Sequence, residues 1–185
     1  MLFRSLPLQF EQEYQGRIYD YSFFPVFNSE GQADRAAIFI RDVTDKAKAF
    51  ETAAKLAAIV ASSDDAIIGK SADGVIQTWN RGAELMYGYK AHEIVGRSMN
   101  ILIPSNRPNE LTDILALVNQ GKKLTRYETE RLKKNGERLT VSMTVSPVRD
   151  KTGRVVGAAV VARDVTEQKK KNKELLEREK QYRAL

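Results

Sequence analysis

Apolar and polar residues alternate along much of this chain, most clearly between Leu139 and Ser146. Leu139, Val141, Met143 and Val145 are interleaved with Thr140, Ser142, Thr144 and Ser146, which predicts a strand with one apolar and one small-polar face. Asn135-Gly136 before it and Asp150 to Gly153 after it suit hairpin turns. The stretch from Tyr127 to Arg163 is therefore expected to fold as three consecutive antiparallel strands. The third, Val155 to Val161, is apolar almost throughout and is expected at the centre of its sheet. It runs into Arg163-Asp164-Val165-Thr166-Glu167, where Asp164 as N-cap and Glu167 three residues on predict a capping box. A sheet thus feeds directly into a helix.

The same construction occurs 122 residues earlier. A gapless alignment of 21–45 with 143–167 pairs Pro25 with Pro147, Gly31 with Gly153, Ala36-Ala37 with Ala158-Ala159, and Arg41-Asp42-Val43-Thr44 with Arg163-Asp164-Val165-Thr166. A period of this length indicates a repeated domain. Strands are expected near 10–14, 19–27 and 36–41. Without covering helices, such a sheet exposes an apolar face, so the half-domain is expected either to pack on a second chain or to be poorly ordered. Asp42 to Ala61 reads as a helix with Asp42 as N-cap and Asp45 closing the box. Val43, Ala47, Phe50, Ala54, Ala57 and Ala61 follow a four-three spacing. That is the seam of a parallel dimer helix, or the buried stripe of a single helix packed on its own sheet; the spacing fits both.

Ser62 to Asp65 forms a polar break. Ala66 to Lys70 and Val75 to Trp79 predict a hairpin around Asp73-Gly74, and Asn80 caps a short helix over 81–87 that Gly88 ends. A further turn over 91–95 closes at Gly96. Leu111, Ile114, Leu115 and Val118 form one apolar stripe of a helix that Pro108 starts and Gly121 stops. Helices on one face of an antiparallel sheet make an α+β fold. The tail, Thr166 to Leu185, is a polar helix in which Leu175, Tyr182 and Leu185 could line a seam.

In order, Asp73 to Asn80 (DGVIQTWN), Gly88-Tyr89, Glu93 to Gly96 (EIVG), Lys134 to Glu137 (KNGE), Ser146 to Gly153 (SPVRDKTG) and Arg163 to Thr166 (RDVT) resemble a PAS domain. The likeness covers 60–167 completely and 8–45 as the second half of a preceding copy. It implies a five-stranded antiparallel sheet and four segments: 1–45 as the C-terminal half of one PAS domain, 46–61 as a linker helix, 62–167 as a complete PAS domain, and 168–185 as an exit helix leading to a further module. It also implies a sensing cleft between helices and sheet. The candidate wall is Trp79, Leu85, Met86, Leu111, Ile114, Leu115, Tyr127 and Met143, with Trp79 and Tyr127 where family members often contact ligands; the same residues can equally fill a ligand-free core. Thr78, Thr129 and Arg131 are the polar candidates, and Glu128, three positions from Arg131 on a strand, must face the other way. Asp42, Thr44, Asp164 and Thr166 are the expected signal relay.

Composition narrows the chemistry. The 185 residues allow one or two domains, with 42% hydrophobic and 29% charged residues. There is no cysteine, hence no disulfide, thiolate metal site or cysteinyl flavin adduct. The single histidine, His92, lies outside the long helix where haem-binding relatives carry theirs, and is expected in solvent. No resident cofactor is expected; a small molecule held non-covalently is the ligand class left open. The net charge of +6 is spread along the chain and does not indicate nucleic acid. No apolar run suggests membrane insertion, Met1 to Pro7 lacks the apolar core of a signal peptide, and a cytoplasmic location is expected. No phosphate-binding loop, zinc pattern or catalytic segment is present, so the chain is expected to be a regulatory, non-enzymatic fragment. The PAS resemblance implies a parent that is a signalling enzyme such as a histidine kinase or diguanylate cyclase carrying the output domain, and the linker-helix seam suggests a homodimer. Two functions fit: a sensory module relaying ligand binding through the C-terminal helix, or a ligand-free dimerisation spacer.

Overall fold

The computed structural model describes residues 8–183. Residues 1–7, and Leu185 of the proposed tail seam, lie outside them. The chain divides into two compact units, 1–58 and 59–185.

The first unit contains β1 (Leu8–Tyr14), β2 (Arg17–Phe27) and β3 (Ala33–Asp42), paired in sequence order, followed by α1 (Thr44–Ser62). One sheet face carries Phe10 stacked between Tyr21 and Phe23, at 5.3 and 5.7 Å between ring centroids. Ile38 and Ile40 remain more than half exposed, so this apolar sheet face is uncovered within the unit. Val43 and Ala47 are half-buried, whereas Phe50, Ala54 and Ala57 are exposed, Phe50 to 78%. The helix therefore does not pack along its own sheet.

The second unit is built on a five-stranded antiparallel sheet in the order β5-β4-β8-β7-β6. Its strands are β4 (Ala66–Ser71), β5 (Ile76–Trp79), β6 (Leu124–Leu132), β7 (Arg138–Arg149) and β8 (Val155–Asp164). The most apolar strand, β8, is central, as its sequence predicts. Between β5 and β6 the chain makes α2 (Arg81–Tyr87), α3 (Ala91–Ile94), a 3-10 turn over Met99–Leu102 that the sequence reading lacked, and α4 (Glu110–Asn119). The exit helix α5 spans Thr166–Arg183. Pro108 precedes α4 instead of occupying its first turn.

Local chemistry fixes this order. Asn80 accepts from Ala83 N (2.9 Å) to cap α2 and from Ile67 N (2.9 Å), and donates to Val60 O (2.9 Å) and Asp65 O (3.0 Å). All four of its bonding positions are filled, joining the end of α1, the start of β4 and α2. Gly82 sits so close to Asp65 O and Ser63 O that a Cβ would lie 2.4 and 2.7 Å from them. The core lies between α2–α4 and the inner face of the sheet, where Leu139, Val141, Met143 and Val145 of β7 meet Leu102, Leu111, Ile114 and Val118.

Candidate functional site

The inner face of the second sheet is not wholly apolar. On β4 the inward positions are Ala66, Ile68 and Lys70, and Lys70 is only 3% exposed. On β6 the inward positions are Thr129 and Arg131, with Arg131 at 2%. Glu110, in the first turn of α4, is buried opposite them. Arg131 Nη2 donates to Glu110 Oε1 at 3.0 Å and, more weakly, to Met143 Sδ at 3.8 Å. Its Nη1 donates to Thr129 Oγ1 (3.2 Å) and to the Glu130 carbonyl (2.7 Å). Glu110 Oε2 is buried with no partner, as is Arg107 Nε just before α4.

Lys70, Arg131 and Met143 line a residual cavity of ≈ 10 Å³ together with Met99, Ile103, Leu111, Ile114, Val145 and Val160. That is about the space of one water. The Lys70 backbone is part of the β4 ladder, but its ammonium has no ion-pair partner among the described residues. Burial, followed by the charge of Arg131, lowers its ammonium pKa to about 8. Tyr127 is half-buried against the core, and burial and then the Glu110 carboxylate push its phenol up.

Leu111, Ile114 and Met143 of the expected wall line the cavity, and Arg131 and Thr129 point inward while Glu128 faces out to Lys169. The other five of the expected wall, Tyr127 among them, do not line the cavity, and neither does Thr78. Leu85 is 66% exposed, because the inner face of α2 is made by Gly82, Ala83 and Tyr87. Trp79 is buried, but it packs against Tyr87 at 5.4 Å and donates Nε1–H to Tyr89 O at 3.0 Å, away from the cavity. Met86 and Leu115 pack on the core without reaching the cavity; Leu115 instead lies beside Gly74, where a Cβ would come within 3.2 Å. Thr78 is exposed and its hydroxyl accepts from Gly69 N. His92 is exposed.

Lys70 and Glu110 were missed. The alternation of Ala66, Ile68 and Lys70 carries the signal for the first. For the second, Glu110 stands one helical turn before Ile114, on the same stripe.

Asp42, Thr44, Asp164 and Thr166, the expected relay residues, form a repeated joint. Thr166 Oγ1 accepts from Thr140 N (2.9 Å) on β7, and Val165 N donates to Thr140 O (2.9 Å). In the first unit Thr44 Oγ1 accepts from Ile18 N (2.9 Å) and Val43 N donates to Ile18 O (2.9 Å). Asp164 and Asp42 each accept from the backbone N–H two residues on, at 2.8 and 3.0 Å. Hydrogen bonds from Thr44 hold the Asp42 carboxyl below its ordinary range. The capping boxes do not form: Val43 and Val165 carry the first helical carbonyls, accepting from Ala47 and Lys169, so each aspartate lies one residue outside the N-cap.

Residues 54–165 match the PAS fold family. The chain belongs to the PAS family. Its PAS domain is similar to the PAS domain of a protein from Colwellia psychrerythraea, at 30% identity and a TM-score of 0.57, over 63% of this chain and 98% of that one. A domain of a sensory box sensor histidine kinase/response regulator from Geobacter sulfurreducens shares the fold at 23% identity and a TM-score of 0.54, over 63% and 96% of the two chains. Two-component system protein A of Emericella nidulans is 35% identical over 111 residues, 57% of this chain and 16% of that protein. The histidine-protein kinase AtoS of Escherichia coli is 24% identical over 122 residues, 66% of this chain and 20% of that protein. The chain thus spans a fifth or less of these two relatives. Among the described residues no helix is long and apolar enough to cross a membrane, and no three histidine, cysteine or acidic side chains cluster as metal ligands would.

Proposed function

We propose that this chain is a sensory and regulatory PAS module in which a change in the cleft between α4 and the sheet is passed to α5. The observation that carries this reading is that the same two strands build both sites. Strand β7 supplies Met143 and Val145 to the cleft wall and Thr140 to the Thr166 joint; β8 supplies Val160 to the wall and ends in Asp164. A shift of strand register of a few tenths of an ångström alters the hydrogen bonds that hold the first turn of α5. A small difference in ligand affinity between two such states moves their populations. The relatives' names, a two-component protein and a histidine kinase, support a signalling parent whose output domain the exit helix would address; the chain itself would be regulatory and not catalytic.

A ligand-free spacer is the second reading, and the small residual cavity favours it. The exposed α1 seam fits both, since an exposed Phe50 in a four-three pattern suits a homodimer through the linker helices. Sedimentation of the full chain and of Phe50→Asp tests that dimer: a dimer that the substitution makes monomeric supports it, and a wild-type monomer at high concentration ends it. Amide exchange of α5 tests the relay. Thr166→Val should raise exchange over 167–175 and leave β4 and β8 protected; unchanged α5 exchange would contradict the coupling.

A further inference from the structure

Within the sensor reading, on which this step rests, we infer that the cleft recognises a compact monoanion, the size of a short carboxylate, with Lys70 as its anchor. Lys70 and Arg131 bring two positive charges into the core and Glu110 brings one negative. One positive charge is left without a counter-ion. Arg131 is already engaged by Thr129, Glu130, Glu110 and Met143, whereas the Lys70 side chain, only 3% exposed, has no ion-pair partner among the described residues. A buried ammonium without a partner is among the most unfavourable groups a core can hold, and its lowered pKa reflects the same burial. The ammonium lines the cavity together with Met99, Ile103, Leu111, Ile114, Val145 and Val160. A single negative charge balances Lys70; the half-buried Arg107 guanidinium lies outside the cavity lining.

Size points the same way. The closed cavity admits about one heavy atom, so an anion head can sit against Lys70 only if any further atoms displace the walls. Two of those walls are Met99 and Met143, unbranched side chains that repack readily, and Ile103 is only half-buried. Repacking of these side chains is what would make room for two or three more heavy atoms, next to apolar carbon that suits a methyl group. Bulky or multiply charged anions do not fit these walls.

The test uses the four methionines of the full chain. With methyl-13C methionine, Met99 and Met143 report on the cavity, and Met86, which does not line it, serves as the control. Sodium formate, acetate and chloride are titrated against sodium gluconate at constant ionic strength, and acetamide is the neutral match for acetate. The expected result is a saturable shift of Met99 and Met143 with formate or acetate, none with acetamide, and loss of the response in Lys70→Gln. Saturation by chloride alone also supports a monoanion site and identifies its occupant as a halide. The wild-type comparison of acetate with acetamide stands even if Lys70→Gln does not fold. Equal shifts with acetamide, or an anion response that survives in a folded Lys70→Gln, overturn the anion site while leaving a sensor of neutral ligands. An anion response without any change in α5 exchange supports the site and counts against the relay instead. Silence of both cavity methyls toward anions and neutral compounds ends both readings.

Discussion

Replacing Lys70 by methionine should make the PAS unit more stable, although it removes a charged residue from a cluster of charges. The ammonium pKa falls from its ordinary 10.5 to about 8 in the fold, which corresponds to a cost of about 3 kcal/mol for carrying the charge at neutral pH. Methionine matches the length of lysine and removes that cost; imperfect packing takes back about 1 kcal/mol. The net gain is about 2 kcal/mol at pH 7, or about 5 °C in the midpoint of thermal unfolding. The sign with pH follows from the lowered folded value. Between about pH 8 and 10.5 the unfolded chain binds more protons at Lys70 than the folded one, so wild-type stability from this group rises with pH. The advantage of Lys70→Met therefore shrinks across that window. Tyr87, whose phenol burial pushes up to about 12, lowers stability above about pH 10 equally in both proteins and cancels in the difference. Trp79 is the sole tryptophan and lies in the core of this unit, so urea unfolding followed by its fluorescence, in gluconate buffer from pH 7 to 10, reads the relevant transition. A variant no more stable than wild type at pH 7, or a difference that stays constant with pH, would refute the picture of an unpartnered buried charge.

Glu110→Gln removes the buried ion-pair partner of Arg131 and should cost about 3–5 kcal/mol by the same fluorescence assay; a cost below about 1 kcal/mol would mean that water already screens the pair. Asn80→Ala leaves the Ile67 and Ala83 amides without this acceptor and the Val60 and Asp65 carbonyls with only their longer bonds from Ser63, and a loss of about 2–3 kcal/mol is expected, with faster amide exchange at both 60–67 and 80–84. Gly82→Ala forces a methyl to within 3 Å of two backbone oxygens and should cost about 2 kcal/mol or more, whereas an unchanged midpoint would show that α2 can retreat. Asp164→Ala should remove about 1 kcal/mol from the start of α5, seen as increased exchange confined to 166–169, while Thr166→Val, which unpairs a β7 amide, should spread to 140–142 as well.

How far the structure was readable in the sequence depended on what each pattern reported. Alternation along β7 and the all-apolar run in β8 gave the sheet and its central strand, because both depend on burial of a whole face. The joint at 163–167 was located correctly but misdescribed. An aspartate before a helix reaches the amide two residues on as readily as it caps, and the letters are the same in both cases. Leu85 was misplaced for a packing reason: α2 approaches the backbone at Ser63 and Asp65 so closely that glycine and alanine form its inner face, which turns the larger leucine outward. Lys70 and Glu110 were overlooked because charged residues are ordinarily assigned to the surface. Only the fold shows that the strand parity of Lys70, the parity of Arg131 and the first turn of α4 converge on one point.

The central claim, that the cleft controls the exit helix through the strand joint, is tested most directly by hydrogen exchange of α5 in the full chain with sodium acetate against acetamide at constant ionic strength, in wild type and in Thr166→Val. Protection over 167–175 that changes with acetate in the wild type and no longer does so in Thr166→Val is the predicted result. Cavity methyls saturated by acetate while α5 exchange stays the same would contradict it.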